Sequence, residues 1–434
     1  MSGRVGVAGL MAGSDHPPPT CQDRAMRIAV VGLGMAGATL ACLLHDDGHD
    51  VTVVERAEDP RPVGAGIWLQ AMGQGVLERL GVLGDLRAES RTVSRVAIVT
   101  ASGRRLVDLG YDALPGAVPA LGVHRGTLFS LLHREVLARG IPLRLGVAVT
   151  GVRPSPTGIA VETAGGDLAS YDLVVGADGS RSRVRWSLGV TARDRVYEHG
   201  ALWSIVRDPD ELAHDALFQC LRDTRRYLGV LPTGRGRTSL FWSVRRSEMA
   251  GVVARGLPAW REEARPLAGP YADLLDAVDE LLPATYRDVV VRTPYRLDGP
   301  GLGAVLVGDA AHAMSPQLGT GTSLALADAW TLAHTLRAHA RLQDALAAYE
   351  HHRAAHLRWY QWWTRLMMPV FQSRLVPLAW PRDALAPWVT RVPGVPAALI
   401  GTLCGDRTSP WSTWSPPGEP LPRPLGRPRG RRLS

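Results

Sequence analysis

Gly32, Gly34 and Gly37 fall within one short stretch, Gly32-Leu33-Gly34-Met35-Ala36-Gly37, immediately after the apolar run Ile28-Ala29-Val30-Val31. The run reads as a strand, and the glycines limit the structure that can come after it. Gly32 permits the tight turn out of the strand, Gly34 lets the backbone come close to a pyrophosphate, and Gly37 lets the next helix pack on the strand. A helix is predicted over Met35 to Asp47, ending at Gly48, and the next strand is Val51-Thr52-Val53-Val54. Glu55 closes that strand, 18 residues past Gly37, where an acid can accept hydrogen bonds from both ribose hydroxyls of an adenosine. A dinucleotide phosphate would sit at the helix N-terminus, where free N–H groups and the helix dipole favour negative charge. This segment alone leaves FAD and NAD equally open.

Two later segments bear on that choice. Tyr171 to Arg185 reads as a buried strand that turns at Asp178-Gly179 and enters a helix. Leu302 to Val307 is a second short apolar strand, followed by Gly308-Asp309-Ala310-Ala311-His312. Pro316, Gly319 and Gly321 then interrupt the chain before Thr322, and Ser323 to Leu336 has helical periodicity with Leu324, Ala327 and Leu332 on one side. That sets a helix N-terminus behind a glycine-rich turn, where it can stabilise a nearby negative charge by about 0.3 to 2 kcal/mol.

With these three segments in this order, the chain resembles the single-component FAD-dependent monooxygenases, the flavoprotein aromatic hydroxylases related to para-hydroxybenzoate hydroxylase. The resemblance covers roughly Met26 to Tyr349. It implies that Gly32, Gly34, Gly37 and Glu55, with the adjoining Arg56, hold the ADP half of FAD, and that Asp309 accepts from a ribityl hydroxyl. It implies a flavin contact for Arg125, within Val123-His124-Arg125-Gly126-Thr127-Leu128, and a loop past the ribityl chain and isoalloxazine at Gly64-Ala65-Gly66-Ile67. Pro316, Gly319, Gly321 and Thr322 belong to the same cofactor-binding set. Asp178 and Arg185 brace their turn and helix or help dock a transient nicotinamide. Ser323 stands where many relatives carry Asn; the chain contains no Asn, and Ser keeps a small polar group of N-cap type there. His312 is expected to be a hydrogen-bonded supporting residue. No catalytic acid or base and no metal site is assigned.

The fold implied is α/β, with a Rossmann-like FAD-binding domain, an inserted, mainly antiparallel β-sheet substrate domain and C-terminal helices. The expected FAD-binding domain is discontinuous, 26–90 with 120–195 and 290–345; the substrate domain takes 91–119 and 196–289. Strands are predicted at Ala201–Val206, Tyr227–Leu231 and Thr238–Val244, with Val93–Thr100 and Arg104–Asp108 in the same sheet. Trp203, Tyr227 and Trp242 are candidates to line a pocket for a flat substrate. Residues 346–410 form a helical region around the aromatic run His356 to Trp363, which either packs as a lid or lies on a membrane surface. Residues 1–25 are expected to be a disordered or mis-assigned extension outside the fold, and 411–434 a disordered basic tail.

Composition narrows the remaining classes. The positive charge comes entirely from Arg, since the chain has no Lys, and the basic run Arg423 to Arg432 lacks interleaved aromatics, which argues against nucleic-acid binding. Cys21, Cys42, Cys220 and Cys404 are widely spaced, without disulfide or metal-ligand patterning, so a cytoplasmic location is expected. No apolar run is long enough for a membrane span. The expected partners are a small aromatic substrate and dioxygen; the sequence assigns no oligomeric state.

The chemistry implied by the resemblance is reduction of FAD by NADPH or NADH, formation of a flavin hydroperoxide with dioxygen, and transfer of its distal oxygen to an aromatic or polycyclic small molecule. The alternatives on this scaffold are an FAD-dependent oxidase, dehydrogenase or halogenase, and a flavin-binding protein without turnover. The tryptophans do not form the WxWxIP pattern of tryptophan-type halogenases.

Overall fold

A computed structural model describes residues 25–61, 64–299 and 301–418. The extension up to residue 24 and the tail from 419 lie outside the described residues. The fold is α/β, with a parallel sheet, a larger mainly antiparallel sheet and C-terminal helices.

The first sheet has six strands in the order Tyr295–Leu297, Gly303–Leu306, Leu173–Gly176, Arg27–Val31, Asp50–Val54, Leu143–Arg144. All neighbours are parallel except the pair at the Tyr295–Leu297 edge. Strands from three distant parts of the chain run side by side because each is apolar enough to be buried on both faces. Their register sets where the loops emerge: Val31 lies opposite Gly176 and Val54, and Gly176 opposite Leu306. Four strands therefore end level, and their C-terminal loops leave the sheet together.

The second sheet has seven strands, in the order Leu282–Val291, Thr191–Arg207, Arg237–Arg245, Tyr227–Gly234, Ala216–Leu221, Arg95–Thr100, Arg105–Gly110. The strands at 216–221 and 282–291 are additional to those predicted. Val93 belongs to a separate three-stranded sheet of Gly66–Leu69, Ala120–His124 and Arg91–Val93, so Gly66 and Ile67 lie in a strand where a loop was expected. The large sheet has two faces, set by the alternation along each strand. Leu228, Leu240 and Trp242 pack outward against Trp260, Ala264 and Leu267 of the helix Gly256–Ala268. Trp242 meets Trp260 edge to face and is fully buried, so it is core, not pocket lining. Trp203, Tyr227 and Phe241 face the other way and join Trp68 and Tyr111.

The helix Leu342–Phe371 links the two sheets. Near its start, Arg353 donates from Nε to Asp328 Oδ1 at 2.7 Å. Asp328 lies in the helix Gly321–Ala338, wholly buried, and its Oδ2 accepts from the Gly308 N–H at 2.7 Å and from His312 Nε2. Arg353 also donates to the Leu324 carbonyl at 3.0 Å and to His356 Nδ1; His356 Nε2 in turn donates to the Gly405 carbonyl at 2.7 Å. Near the far end of the helix, Gln361 donates to the Val289 carbonyl, Arg365 pairs with Asp288, and Gln372 donates to the Gly200 carbonyl. Its aromatic run is thus largely packed, although Trp362 remains half exposed. Trp414, expected in the tail, is ordered: it stacks on His356 at 4.7 Å, lies under the Arg353 guanidinium and donates to the His352 carbonyl.

Burial raises the Asp328 carboxyl, but His312 and Arg353 more than offset this and hold it well below the usual carboxylate range. Burial, reinforced by Arg353, pushes His356 well below the usual imidazole value, in agreement with a neutral ring that accepts at Nδ1. Burial pushes the Cys42 and Cys404 thiols up to about 12 and Cys220 up to about 11, so none of the three is a thiolate nucleophile at neutral pH.

Removing one partner from this buried ion pair is expected to be severe. Asp328→Ala or Arg353→Ala should lower unfolding free energy by about 3–5 kcal/mol in denaturant titrations. The pH dependence has a definite sign. The folded His356 resists the proton that the unfolded chain takes up near pH 6.5, so stability holds above about pH 6.5 and declines below it. Asp328 adds a further loss as pH falls below about 3.9 and on through its lower folded value. His356→Gln, which can still donate to Gly405, should flatten the stability slope between about pH 7 and pH 5; an unchanged slope would refute this assignment.

Candidate functional site

The level strand ends bring three loops together. Gly32 leaves the first strand at φ +106°, and a Cβ there would lie 2.5 Å from the Ala177 carbonyl oxygen, beside Asp178. Gly37 is closer still, since its Cβ would sit 2.0 Å from Gly32 O. Gly34, the exposed N-cap of the helix Met35–Asp46, has open space where a Cβ would be. The first two glycines are thus required by the protein's own packing, whereas Gly34 borders space that a ligand can enter. Behind it, the first N–H groups of the helix lack intrahelical partners and point toward that space.

Glu55 is anchored to this loop. Its Oε2 accepts from the Leu33 N–H at 2.8 Å and its Oε1 from the Ala57 N–H at 3.0 Å. Each oxygen keeps lone-pair capacity, so the carboxylate fixes the glycine turn and can still accept from a ribose. Arg56 beside it is exposed.

The Gly308-Asp309 turn lies against the same helix: Gly308, at φ +60°, fits between Ala36 and Ala325. Asp309 opens the short helix Asp309–His312 and is exposed, with no side-chain partner among the described residues. Pro316 starts a single 3-10 turn, Pro316–Leu318, and Gly319 at φ +61° presses on the Trp68 ring. The helix Gly321–Ala338 begins next, leaving the N–H groups of Gly321 and Thr322 outside its hydrogen-bond ladder. Ser323 is buried one turn inside, and its Oγ accepts from the Gln70 N–H at 3.1 Å. It therefore ties this helix to the chain after Gly66–Leu69 and does not act as a cap.

Arg125 begins the helix Arg125–Ala138 and its side chain lies along Gly64; its guanidinium is exposed and has no partner among the described residues. Gly66 donates its N–H to Ser239 Oγ at 2.9 Å, which fixes this strand against the large sheet. Asp178 Oδ2 accepts from the N–H groups of Arg183 and Val184, at 2.7 and 3.3 Å, while Oδ1 is buried with no partner among the described residues. Burial pushes its carboxyl above the usual range. Arg185 is buried, donating to the Ala310 and Ser180 carbonyls and pairing with Asp194, so it joins the second and third segments structurally.

The supporting residues Asp328, Arg353 and His356 were not assigned from sequence. The signal for Asp328 was an acid between Ala327 and Ala329 on a helix that is apolar on nearly every face. These loops carry two helix N-termini, two carboxylates with accepting capacity and the exposed Arg125 guanidinium. This is a donor and acceptor set suited to a dinucleotide carrying a flat ring system.

Comparison with known proteins agrees. The profile of a family described as FAD binding domain matches residues 25–360. The aurachin C monooxygenase/isomerase of Stigmatella aurantiaca is 32% identical over 330 residues, covering 75% of this chain and 84% of that protein. The 3-amino-4-hydroxybenzoate 2-monooxygenase of Streptomyces cremeus is 33% identical over 357 residues, covering 76% and 83%. The tetrameric form of 2-methyl-3-hydroxypyridine-5-carboxylic acid oxygenase superposes with a TM-score of 0.69 at 25% identity, covering 84% of this chain and 98% of that one.

The three glycines predict different failures. Gly37→Ala should reduce soluble, folded protein, because its methyl group has no room. Gly34→Ala should leave the melting temperature of the cofactor-free protein within a few degrees but lower affinity for the dinucleotide, measured by flavin fluorescence on titration. Equal effects on folding and on binding would contradict the division made here.

Proposed function

The chain belongs to the FAD binding domain family and is a single-component FAD-dependent monooxygenase, and on that premise we propose that it hydroxylates an aromatic or polycyclic small molecule using dioxygen and NADPH or NADH. The observation that carries this reading is the level ending of four parallel strands, which brings the glycine loop, Glu55 and the Gly308-Asp309 turn together at one edge of the sheet. FAD held by these residues would supply the redox chemistry of the reaction. The protein's residues bind, orient and enclose.

In this reading the backbone around Gly32, Gly34 and Gly37 receives the pyrophosphate, while Glu55 and Arg56 hold the adenosine ribose. Asp309 accepts from a ribityl hydroxyl, and Asp178, whose inner oxygen lacks a partner among the described residues, stands beside the glycine turn. Gly66, Ile67 and Arg125 line the run of the chain past the ring system. Pro316 and Gly319 shape the turn before the helix Gly321–Ala338, and the free N–H groups of Gly321 and Thr322 would favour negative charge on a flavin held there. The six-stranded part serves as cofactor domain and the seven-stranded sheet as substrate domain.

In this reading Trp203, the partly exposed member of the aromatic cluster, faces the substrate, while Tyr227 and Phe241 are buried and back it from the core. Trp68 carries a buried indole N–H with no acceptor among the described residues, a donor placed to orient a substrate carbonyl or hydroxyl. The activities of the relatives, on an aminohydroxybenzoate and on aurachin C, fit an aromatic substrate without naming the one used here.

Two measurements test the proposal. Asp309→Ala should retain the fold by circular dichroism and lose bound FAD; full flavin occupancy would count against the site. A panel of aromatic compounds should include at least one that accelerates NAD(P)H oxidation and gains one oxygen atom by mass. Peroxide release or halogen incorporation without oxygen insertion would replace monooxygenation with one of the other flavin chemistries.

A further inference from the structure

The helix Ala379–Val389 is folded onto the protein with its polarity reversed. At about 3.6 residues per turn, Trp380, Ala384, Trp388, Pro381, Leu385 and Val389 share one half of its circumference, and every one is apolar. Trp380 is 78% exposed, Trp388 67% and Leu385 60%, and no residue of the helix is fully buried. The opposite side faces the protein. There Ala386 packs into the aromatic cluster of the large sheet. Arg382, with a side chain only 5% exposed, donates to the Asp223 and Val370 carbonyls, pairs with Asp383 and covers the Phe371 ring. These contacts fix the rotation of the helix, so the apolar half is held outward. Leu375 before it and Val392 after it extend the exposed apolar surface, at 55% and 50%.

Charge indicates what this surface meets. From Arg358 to the C-terminus the sequence has eleven Arg against three acids, Asp383, Asp406 and Glu419; Arg365, Arg374 and Arg382 are paired with Asp288, Glu198 and Asp383, which still leaves the stretch basic. Arg391 is exposed and lies over the Trp388 ring at 5.7 Å. Exposed tryptophans with flanking Arg are the composition of a helix lying in a membrane interface, where rings enter the headgroup region and cations meet anionic lipid. Among the described residues no helix is long and apolar enough to cross a bilayer, so contact is along the surface. Pairing with a second copy would bring two strongly basic segments together, which the same charge disfavours.

We propose that Leu375 to Val392 is a docking surface for an anionic lipid bilayer, with Trp380, Leu385 and Trp388 as its apolar anchors. The test is sedimentation of the full-length, FAD-loaded protein with vesicles of phosphatidylglycerol or of phosphatidylcholine, at low and high salt. The protein should sediment with phosphatidylglycerol, less with phosphatidylcholine, and less again at high salt. Combined Trp380→Ser, Leu385→Ser and Trp388→Ser should weaken partitioning about tenfold or more, with flavin absorbance retained. Trp380→Phe with Trp388→Phe should keep most of the binding. Absence of binding to phosphatidylglycerol vesicles, or equal binding by the triple Ser variant, would overturn the proposal. So would vesicle-free, concentration-dependent self-association that the triple variant abolishes, which would assign the surface to a second copy.

Discussion

A carboxylate with no access to water holds the cofactor cleft in shape. Asp328 accepts from a backbone N–H of the Gly308 turn, from His312 and from Arg353. It thereby joins a turn that borders the site, the helix whose N-terminus faces the site, and the long helix that reaches across to the large sheet. A buried carboxylate is costly unless its oxygens are satisfied and its charge is opposed. Here the partners that satisfy it are also the elements that must be positioned, so the cost of burial enforces their geometry. His312 and Arg185 act in the same way at either side of the Asp309 turn, and Asp309 itself is left without a protein partner among the described residues.

The glycine loop was legible in the sequence because each glycine answers to a local requirement: Gly32 and Gly37 to backbone contacts too close for a Cβ, and Gly34 to open space beside a helix N-terminus. The central strands were legible for a similar reason, being short apolar runs bounded by turn residues. Neither reading depends on what the rest of the chain does.

What the sequence hid was whatever depends on a distant partner. Trp203 and Trp242 are alike in type and lie on neighbouring strands, directly opposite Phe241 and Leu202 respectively, yet one joins the cluster of Tyr227, Phe241 and Trp68 and the other packs on the outer helices. Only the pairing register separates them. The strand Leu282–Val291 is partly exposed and carries Pro283, Arg287 and Asp288, so its pattern is weak, and it is held by the edge of Thr191–Arg207. Ser323 resembles a capping residue because it comes after a glycine-rich turn; its actual partner, the Gln70 N–H, is 253 residues away in the chain. Arg353 and His356 sit in a helix already rich in aromatics and basic groups, where nothing local marks them as buried.

The order of strands in the parallel sheet has a consequence for synthesis on the ribosome. Its neighbours at the centre are Arg27–Val31, Leu173–Gly176 and Gly303–Leu306, so the glycine loop emerges well before the strands that pair beside it. The Gly308 turn is held by Asp328, whose charge is opposed only when Arg353 has emerged, and His356 finds its acceptor only at Gly405. A nascent chain therefore exposes half of a nucleotide cradle, with an unpaired sheet edge beside it, through most of its elongation. Premature termination before Arg353 would leave a protein with the recognisable loop and no means of closing the pocket around it.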